Sequence, residues 1–308
     1  MSKTDSQSPK TDVYARVTDQ ILKDLERGVR PWMKPWTVAN AEGRISRPLR
    51  HNGTPYRGMN VLLLWGQAID RGFQSPQWMT YKQAQALGGQ VRKGETGSLV
   101  VYADRVTKTD VDVDGQEVER EIAFMKGYTV FNAEQIDGLQ ALQAPSPASP
   151  LELIQTAEEF FARTGAVVHH RGNRAFYASL QDFVQLPAPE AFRDAVSYAA
   201  IKAHEFIHWT GHPSRNARAF GKRFGDQAYA FEELVAELGA AFLCADLGIT
   251  PEVREDHASY LQSWLQVLEG DKRAIFSAAA QAQKAVDYLL ALQGENQGND
   301  LHISISQE

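Results

Sequence analysis

A single cysteine, Cys244, stands among the 308 residues. It excludes an intramolecular disulfide and any zinc site built on cysteines, and it suits a reducing cytosol. Long apolar runs are missing too. The longest, NVLLLWGQAI from Asn60, is far shorter than the roughly 20 residues a membrane span requires. The opening MSKTDSQSPKTD is polar and holds no apolar signal core. Neither export nor a membrane partner is expected, and the expected location is cytoplasmic. No internal repeat is visible. An overall excess of basic charge is also lacking, since net charge is −6, which at face value argues against nucleic acid.

The distribution of charge says otherwise. Residues 27–93 hold eleven Lys and Arg against two acids, whereas residues 144–308 hold thirteen against twenty-one. The two halves therefore have different jobs. Between them, the segment from Leu142, rich in Pro, Ser and Ala, reads as a linker. The expected organisation is α+β in two domains. Residues 1–11 are an unstructured start, 12–141 a mixed α/β domain and 142–150 the linker. Residues 151–293 form a mainly helical domain with a small sheet, and 294–308 a flexible tail.

Within the first domain, Val13, Val17, Ile21, Leu22 and Leu25 recur at helical spacing, and Gly28 supplies a stop. Two prolines exclude a helix in RPWMKPW. Helices are expected over 59–73 and 80–89, and strands over 97–109 and 119–132. The joint between those strands contains Asp110, Asp112, Asp114, Gly115 and Glu121, which fit the D-x-D-x-D-G-x5-E calcium loop. That loop belongs between two helices. Here the flanks are β-branched and aromatic, and Asp114-Gly115 is a hairpin turn, so a hairpin is expected. In the second domain a helix over 151–165 precedes two short strands about Gly172-Asn173. Helices follow at about 189–211, 228–247, 251–268 and 271–293.

The sharpest signal is His204-Glu205-Phe206-Ile207-His208, an H-E-x-x-H within an apolar run. Helical residues four apart nearly overlay, so both imidazoles can grip one cation, with Glu205 beside them to take a proton from water. A catalytic zinc takes three protein ligands and keeps an open position. The helix around AYAFEELVAELG supplies the candidates. Glu233 and Glu237 share a face; Glu233 is read as third ligand and Glu237 as its support behind a histidine, whereas Glu232 points a quarter turn away and is read as the solvent residue. Zinc is the expected ion, one per chain, with manganese the alternative. Tyr229, His212 and His257 are candidates to stabilise an oxyanion, and the sequence does not choose among them. His169 and His170 are consecutive and face opposite ways in a strand, which makes them poor joint ligands.

Residues 27–93 interleave cations with rings: Trp32, Trp36, Tyr56, Trp65, Phe73, Trp78 and Tyr81 accompany Arg30, Lys34, Arg47, Arg50, Arg57, Lys82, Arg92 and Lys93. Single-stranded nucleic acid is bound by that mixture, cations on phosphates and rings on bases. The plainer reading is an aromatic core inside a solvated basic shell, and Trp65 belongs to it.

KAHEFIHWTGHPSR with EELVAELGAAFL resembles the peptidase domain of ArdC-type antirestriction proteins, which are zincins of the His-His-Glu kind. LRHNGTPYRGMNVLLLW, WMTYKQAQALGGQVRKGETG and VFNAEQIDGL resemble the N-terminal domain of the same family. The resemblance runs from about Asp12 to Leu292. It implies a single-stranded-DNA-binding domain followed by a zincin-like metallopeptidase domain, with His204, His208 and Glu233 as metal ligands and Glu205 as base. It also implies protection of incoming plasmid DNA from host restriction, with a protein of the restriction system or another protein as substrate. Arg47, Arg50, Tyr56, Arg57, Lys82, Arg92 and Lys93 are the candidate DNA contacts. The competing expectation is a DNA-binding protein whose metal only staples a scaffold.

Overall fold

A computed structural model of the chain describes residues 13–27, 30, 32, 46–111, 117–139, 149–220, 227–249 and 257–303. The apolar spacing at the start forms α1 (Val13–Glu26), which buries Val17, Ile21 and Leu25. α2 (Met59–Arg71) is the VLLLW helix, stopped by Gly72 in the left-handed region at φ 71°. α3 (Tyr81–Ala86) starts at Thr80, whose side chain and that of Gln83 cap each other's backbone amides. Short strands β1 (Leu49–Arg50) and β2 (Gln77–Met79) join the long strands β4 (Ser98–Val111) and β5 (Glu117–Asn132) in the order β1-β2-β5-β4. β1 and β2 are parallel, and the other pairs antiparallel. β3 (Gln90–Val91) and β6 (Ile136–Asp137) form a separate pair.

The pairing of β4 with β5 carries through to Val111 opposite Glu117. The aspartate-rich joint is thus the end of a hairpin, as its flanks predict, although residues 112–116 lie outside the described ones. The same holds for residues 1–12, 33–45, 140–148 and 304–308.

The second half begins with α4 (Pro150–Ala162), capped by Ser149 and Glu152. A three-stranded sheet follows, of β7 (Val167–His170), β8 (Phe176–Ala178) and β9 (Phe183–Leu186) in the order β7-β9-β8, with β8 at an edge. Two strands were expected here. The third is a short element whose weak alternation hides it. Four helices complete the chain: α5 (Ala195–Thr210), α6 (Gln227–Leu247), α7 (His257–Gly270) and α8 (Ala274–Ile303). α8 runs ten residues past the expected end, through residues read as a loose tail.

α6 lies at the centre, against α5, α7 and α8. Residues 232–245 are all buried, so this helix has no solvent face along that stretch. A single apolar cluster crosses both halves of the chain, joining Val17, Trp65 and Val100 to Phe206, Phe242 and Trp264. Trp32, Trp65, Phe73 and Trp78, candidate stacking rings in the sequence, are core residues. Trp32 stands edge-on to Trp264, and Trp65 tilts against Phe242.

Candidate metal centre

α5 starts at Asp194, whose carboxylate accepts hydrogen bonds from the Ser197 amide and hydroxyl, each at 2.7 Å. The helix lays one side on β8 and β9 and another on α6. His204 and His208 fall one turn apart, and α6 brings Glu233 opposite them. His204 Nε2 lies 3.2 Å from His208 Nε2. Glu233 Oε2 is 3.5 Å from the first nitrogen, and its Oε1 is 3.5 Å from the second. Two donors about 2.0–2.1 Å from a tetrahedral ion are separated by roughly 3.4 Å. The three side chains therefore form one face of such a coordination sphere, and they are the group among the described residues with metal-binding geometry. Two imidazole lone pairs at 3.2 Å repel unless a proton or a cation lies between them.

Electrostatics favour positive charge at this point. Burial works against a charged His208, but the carboxylates of Glu233, Glu232 and Glu205 outweigh it and hold its pKa at about 8. Burial likewise pushes Glu233 up, but His208, His204 and the Tyr229 hydroxyl bring it down to about 2. A divalent cation would satisfy both groups.

Behind the triangle, His208 Nδ1 faces Glu232 Oε1 at 3.1 Å. Glu232 is buried and bonded by Arg218, with Nη2 to Oε1 at 2.9 Å and Nε to Oε2 at 3.0 Å. This corrects the reading of Glu232 as the solvent residue: α6 is enclosed, and the segment after α5 folds Arg218 over it. The support that was expected from Glu237 at a histidine is supplied at His208 by Glu232. Glu237 is itself buried one turn further along α6.

The centre opens into a cleft of about 710 Å³. Glu205 lies in its wall, with Phe176 and Tyr177 of β8, Tyr229 and Phe220 around it. Of the oxyanion candidates, Tyr229 is in the cleft, whereas His212 holds its own turn through Ser214. The side chain of His257 lies outside the described residues. His169 and His170 part company as expected, the first edge-on to Phe183 and the second 2.9 Å from the Tyr198 hydroxyl.

The candidate DNA contacts divide. Arg47 is buried: its guanidinium forks onto Asp246 of α6 at 2.8 and 2.9 Å, reaches Gln283 of α8 at 3.1 Å, and lies over Phe242. It is a tie between the halves and not a surface cation. Tyr56 is buried beneath Arg50, its phenol pushed to about 12 by burial and by Tyr128, with Arg50 opposing. Arg57 pairs with Asp287 of α8, and Arg92 with Glu95 and Asp137. Lys82 and Lys93 are exposed, with no ion pair among the described residues, and Arg50 is exposed as well. Sequence reasoning misses Arg218, and with it the role of Glu232, and it also misses the exposed rings of Tyr102 and Tyr128 on the hairpin. Alternation would have put both rings on the buried face, Tyr102 with Val100 and Tyr128 with Val130, and nothing local marks Arg218.

Two family models match the chain: the N-terminal domain of anti-restriction factor ArdC over residues 11–131, and a zincin-like metallopeptidase over residues 155–281. An uncharacterized protein of Sinorhizobium fredii, y4eC, is 42% identical over 296 residues, which cover 94% of this chain and 95% of that one. The DNA primase TraC of Escherichia coli is 38% identical over 302 residues, 92% of this chain but only 27% of the primase. The metal-free crystal structure of the antirestriction protein ArdC from plasmid R388 superposes with a TM-score of 0.78 at 44% identity, over 92% of this chain and 98% of that one. Its Mn(II)-bound structure gives a TM-score of 0.74 at the same identity, over 91% and 98%. With matches to both domains in the same order and a likeness spanning nearly the full length of each protein, the chain belongs to the ArdC family of antirestriction proteins, with a zincin-like metallopeptidase domain as its second half.

Proposed function

We propose that the protein is a metal-dependent antirestriction factor. Its second half hydrolyses peptide bonds and its first half binds single-stranded DNA, which shields incoming plasmid or other mobile DNA from host restriction in the cytoplasm. The observation that carries this reading is the His204–His208–Glu233 triangle with Glu205 in the wall of the same cleft. Two imidazoles and a carboxylate suit zinc; manganese, present in a structure of the R388 protein, is the alternative. The ion, when bound, supplies Lewis acidity toward a carbonyl and a lowered pKa for water. The chain's own residues do the rest. Glu205 takes the proton of the attacking water and passes it to the leaving amine. Tyr229 contributes a hydroxyl in the cleft beside Glu233. The edge strand β8 lines the cleft and offers an extended peptide a partner for β-pairing.

The DNA-binding half of the proposal draws on the family and on the cations and rings that remain at the surface: Arg50, Lys82 and Lys93, with Tyr81, Tyr102 and Tyr128. Contacts to phosphate require that affinity for a single-stranded oligonucleotide fall steeply with salt.

The deciding experiment combines metal analysis with Glu205→Ala. Purified protein should hold about one ion per chain by the ligand count. The variant should keep it while peptide hydrolysis falls about a hundred- to ten-thousand-fold. A wild-type protein without metal at neutral pH overturns the reading. If plasmid protection survives intact in Glu205→Ala, the ion is a staple between α5 and α6 and the peptidase role falls.

A further inference from the structure

The segment 211–220 turns back over the end of α5 and brings Arg218 into the protein, its side chain only 4% exposed. Beyond its bonds to Glu232, Nη1 donates to Thr210 Oγ1 at 2.8 Å and Nη2 to the Ile207 carbonyl at 2.6 Å. The guanidinium is thus held from three sides. Glycine at position 211 leaves room for this path: a Cβ there would lie 2.6 Å from the Phe220 ring and 3.0 Å from the Arg218 guanidinium, and would displace both side chains. Joining two helices does not call for a buried ion pair, because apolar side chains of similar volume are commonly as stable or more so. A buried pair placed directly behind a histidine calls for another explanation.

Glu232 faces Nδ1 of His208, while Nε2 of the same ring faces the triangle. A carboxylate can only accept there, so Nδ1 carries the proton and the lone pair of Nε2 is left for a cation. We infer that Arg218 and Glu232 are positioning residues that set the metal affinity of the centre. Glu232 fixes the tautomer and orientation of His208, and Arg218 fixes Glu232. The inference rests on the metal reading of the triangle.

The fold provides an internal control. Arg215 anchors the same segment elsewhere: it pairs with Asp182, donates to the Tyr177 hydroxyl at 3.1 Å and lies over Trp209. Loosening the segment alone should therefore be reproduced by Arg215→Ala, whereas loss of positioning should not.

The test measures zinc affinity by competition with a chelator for the full chain, Arg218→Ala, Arg215→Ala and Glu232→Gln, together with nitrogen NMR of the His208 ring in the zinc-loaded proteins. Arg218→Ala and Glu232→Gln should each weaken zinc about 10- to 100-fold, the range for lost outer partners of a ligand. Both should shift the Nδ1 resonance. Arg215→Ala should leave affinity within about twofold and the resonance in place, the two small changes expected of a segment that only loosens. Unchanged affinity in Glu232→Gln overturns the inference, as does an equal loss in Arg215→Ala. Should Arg218→Ala not fold, Glu232→Gln, nearly isosteric, decides alone. A wild-type protein that binds no zinc and no manganese overturns the metal reading and this inference together; binding that the variants leave unaltered overturns only the inference.

Discussion

Gly239 shows how little room separates the two helices of the metal centre. A Cβ at this position of α6 would lie 2.8 Å from Cγ2 and 2.9 Å from Cγ1 of Ile207 on α5. Ile207 is fully buried between Glu205 and His208, and both atoms branch from its Cβ, so they cannot swing aside. Gly239→Ala gains about 0.5–1 kcal/mol of helix propensity but incurs about 1–3 kcal/mol of overpacking. The clash wins. Chemical denaturation should show a net loss of about 1–2 kcal/mol by that difference, and metal affinity should fall as α6 is pushed from α5; equal or greater stability would mean that Ile207 has room to yield. The same scale shows what the sequence discloses. His204, Glu205 and His208 are legible because a helix alone sets their relation, and Glu233 follows from the next helix. Glu232 is not legible. Its angular offset from Glu233 is read correctly, but its burial depends on Arg218, which arrives from a loop. Arg47 is misread for a similar reason, since a charge count registers the guanidinium and not Asp246, 199 residues away.

Elements were recovered in proportion to their length. α1, α2, α4, α5 and α6 are long enough for their apolar runs and glycine stops to show, whereas β8, three residues long, carries too little pattern to be seen. The cap of α5 makes a prediction at this scale. Hydrogen bonds from the Ser197 hydroxyl and amide, aided by Arg193, hold the Asp194 carboxyl at about 2, below the ordinary aspartate value, with burial opposing them. A depressed folded pKa adds stability above the unfolded value near 4, and that stability is lost as pH falls through about 2. Asp194→Asn keeps an oxygen for the cap but does not titrate. The wild-type advantage over Asp194→Asn in thermal melts should therefore be present at pH 5 and shrink toward pH 2. Asp194→Ala, which removes the cap, should lose about 1 kcal/mol even at neutral pH. A constant difference between wild type and Asp194→Asn across that range would remove the carboxylate from the account of the cap.

At the scale of the molecule, the uneven charge of the two halves conceals their union. Trp65 meets Phe242, α1 packs on α7, and Thr18 donates to the Lys272 carbonyl at 2.6 Å. Arg47 and Arg57 reach α6 and α8, and the Gly58 amide donates to Gln283 at 3.1 Å. Because α6 carries both Asp246 and Glu233, the tie to the first half and the metal ligand share one rigid rod. The two halves should unfold together. Metal at a hundred times its dissociation constant adds about 2.7 kcal/mol to the folded state, and hydrogen exchange should register that gain at the amides of Leu62 and Leu64 in α2 as well as in α6. Arg47→Ala removes a buried guanidinium but leaves Asp246 open to water, so it should cost about 1.5–3 kcal/mol, the range for lost hydrogen bonds to a charged group. It should also uncouple the halves, so that metal then protects α6 and no longer α2. If wild-type α2 exchanges at the same rate with and without metal, the shared core does not transmit the stability of the metal centre, and the halves behave as separate bodies.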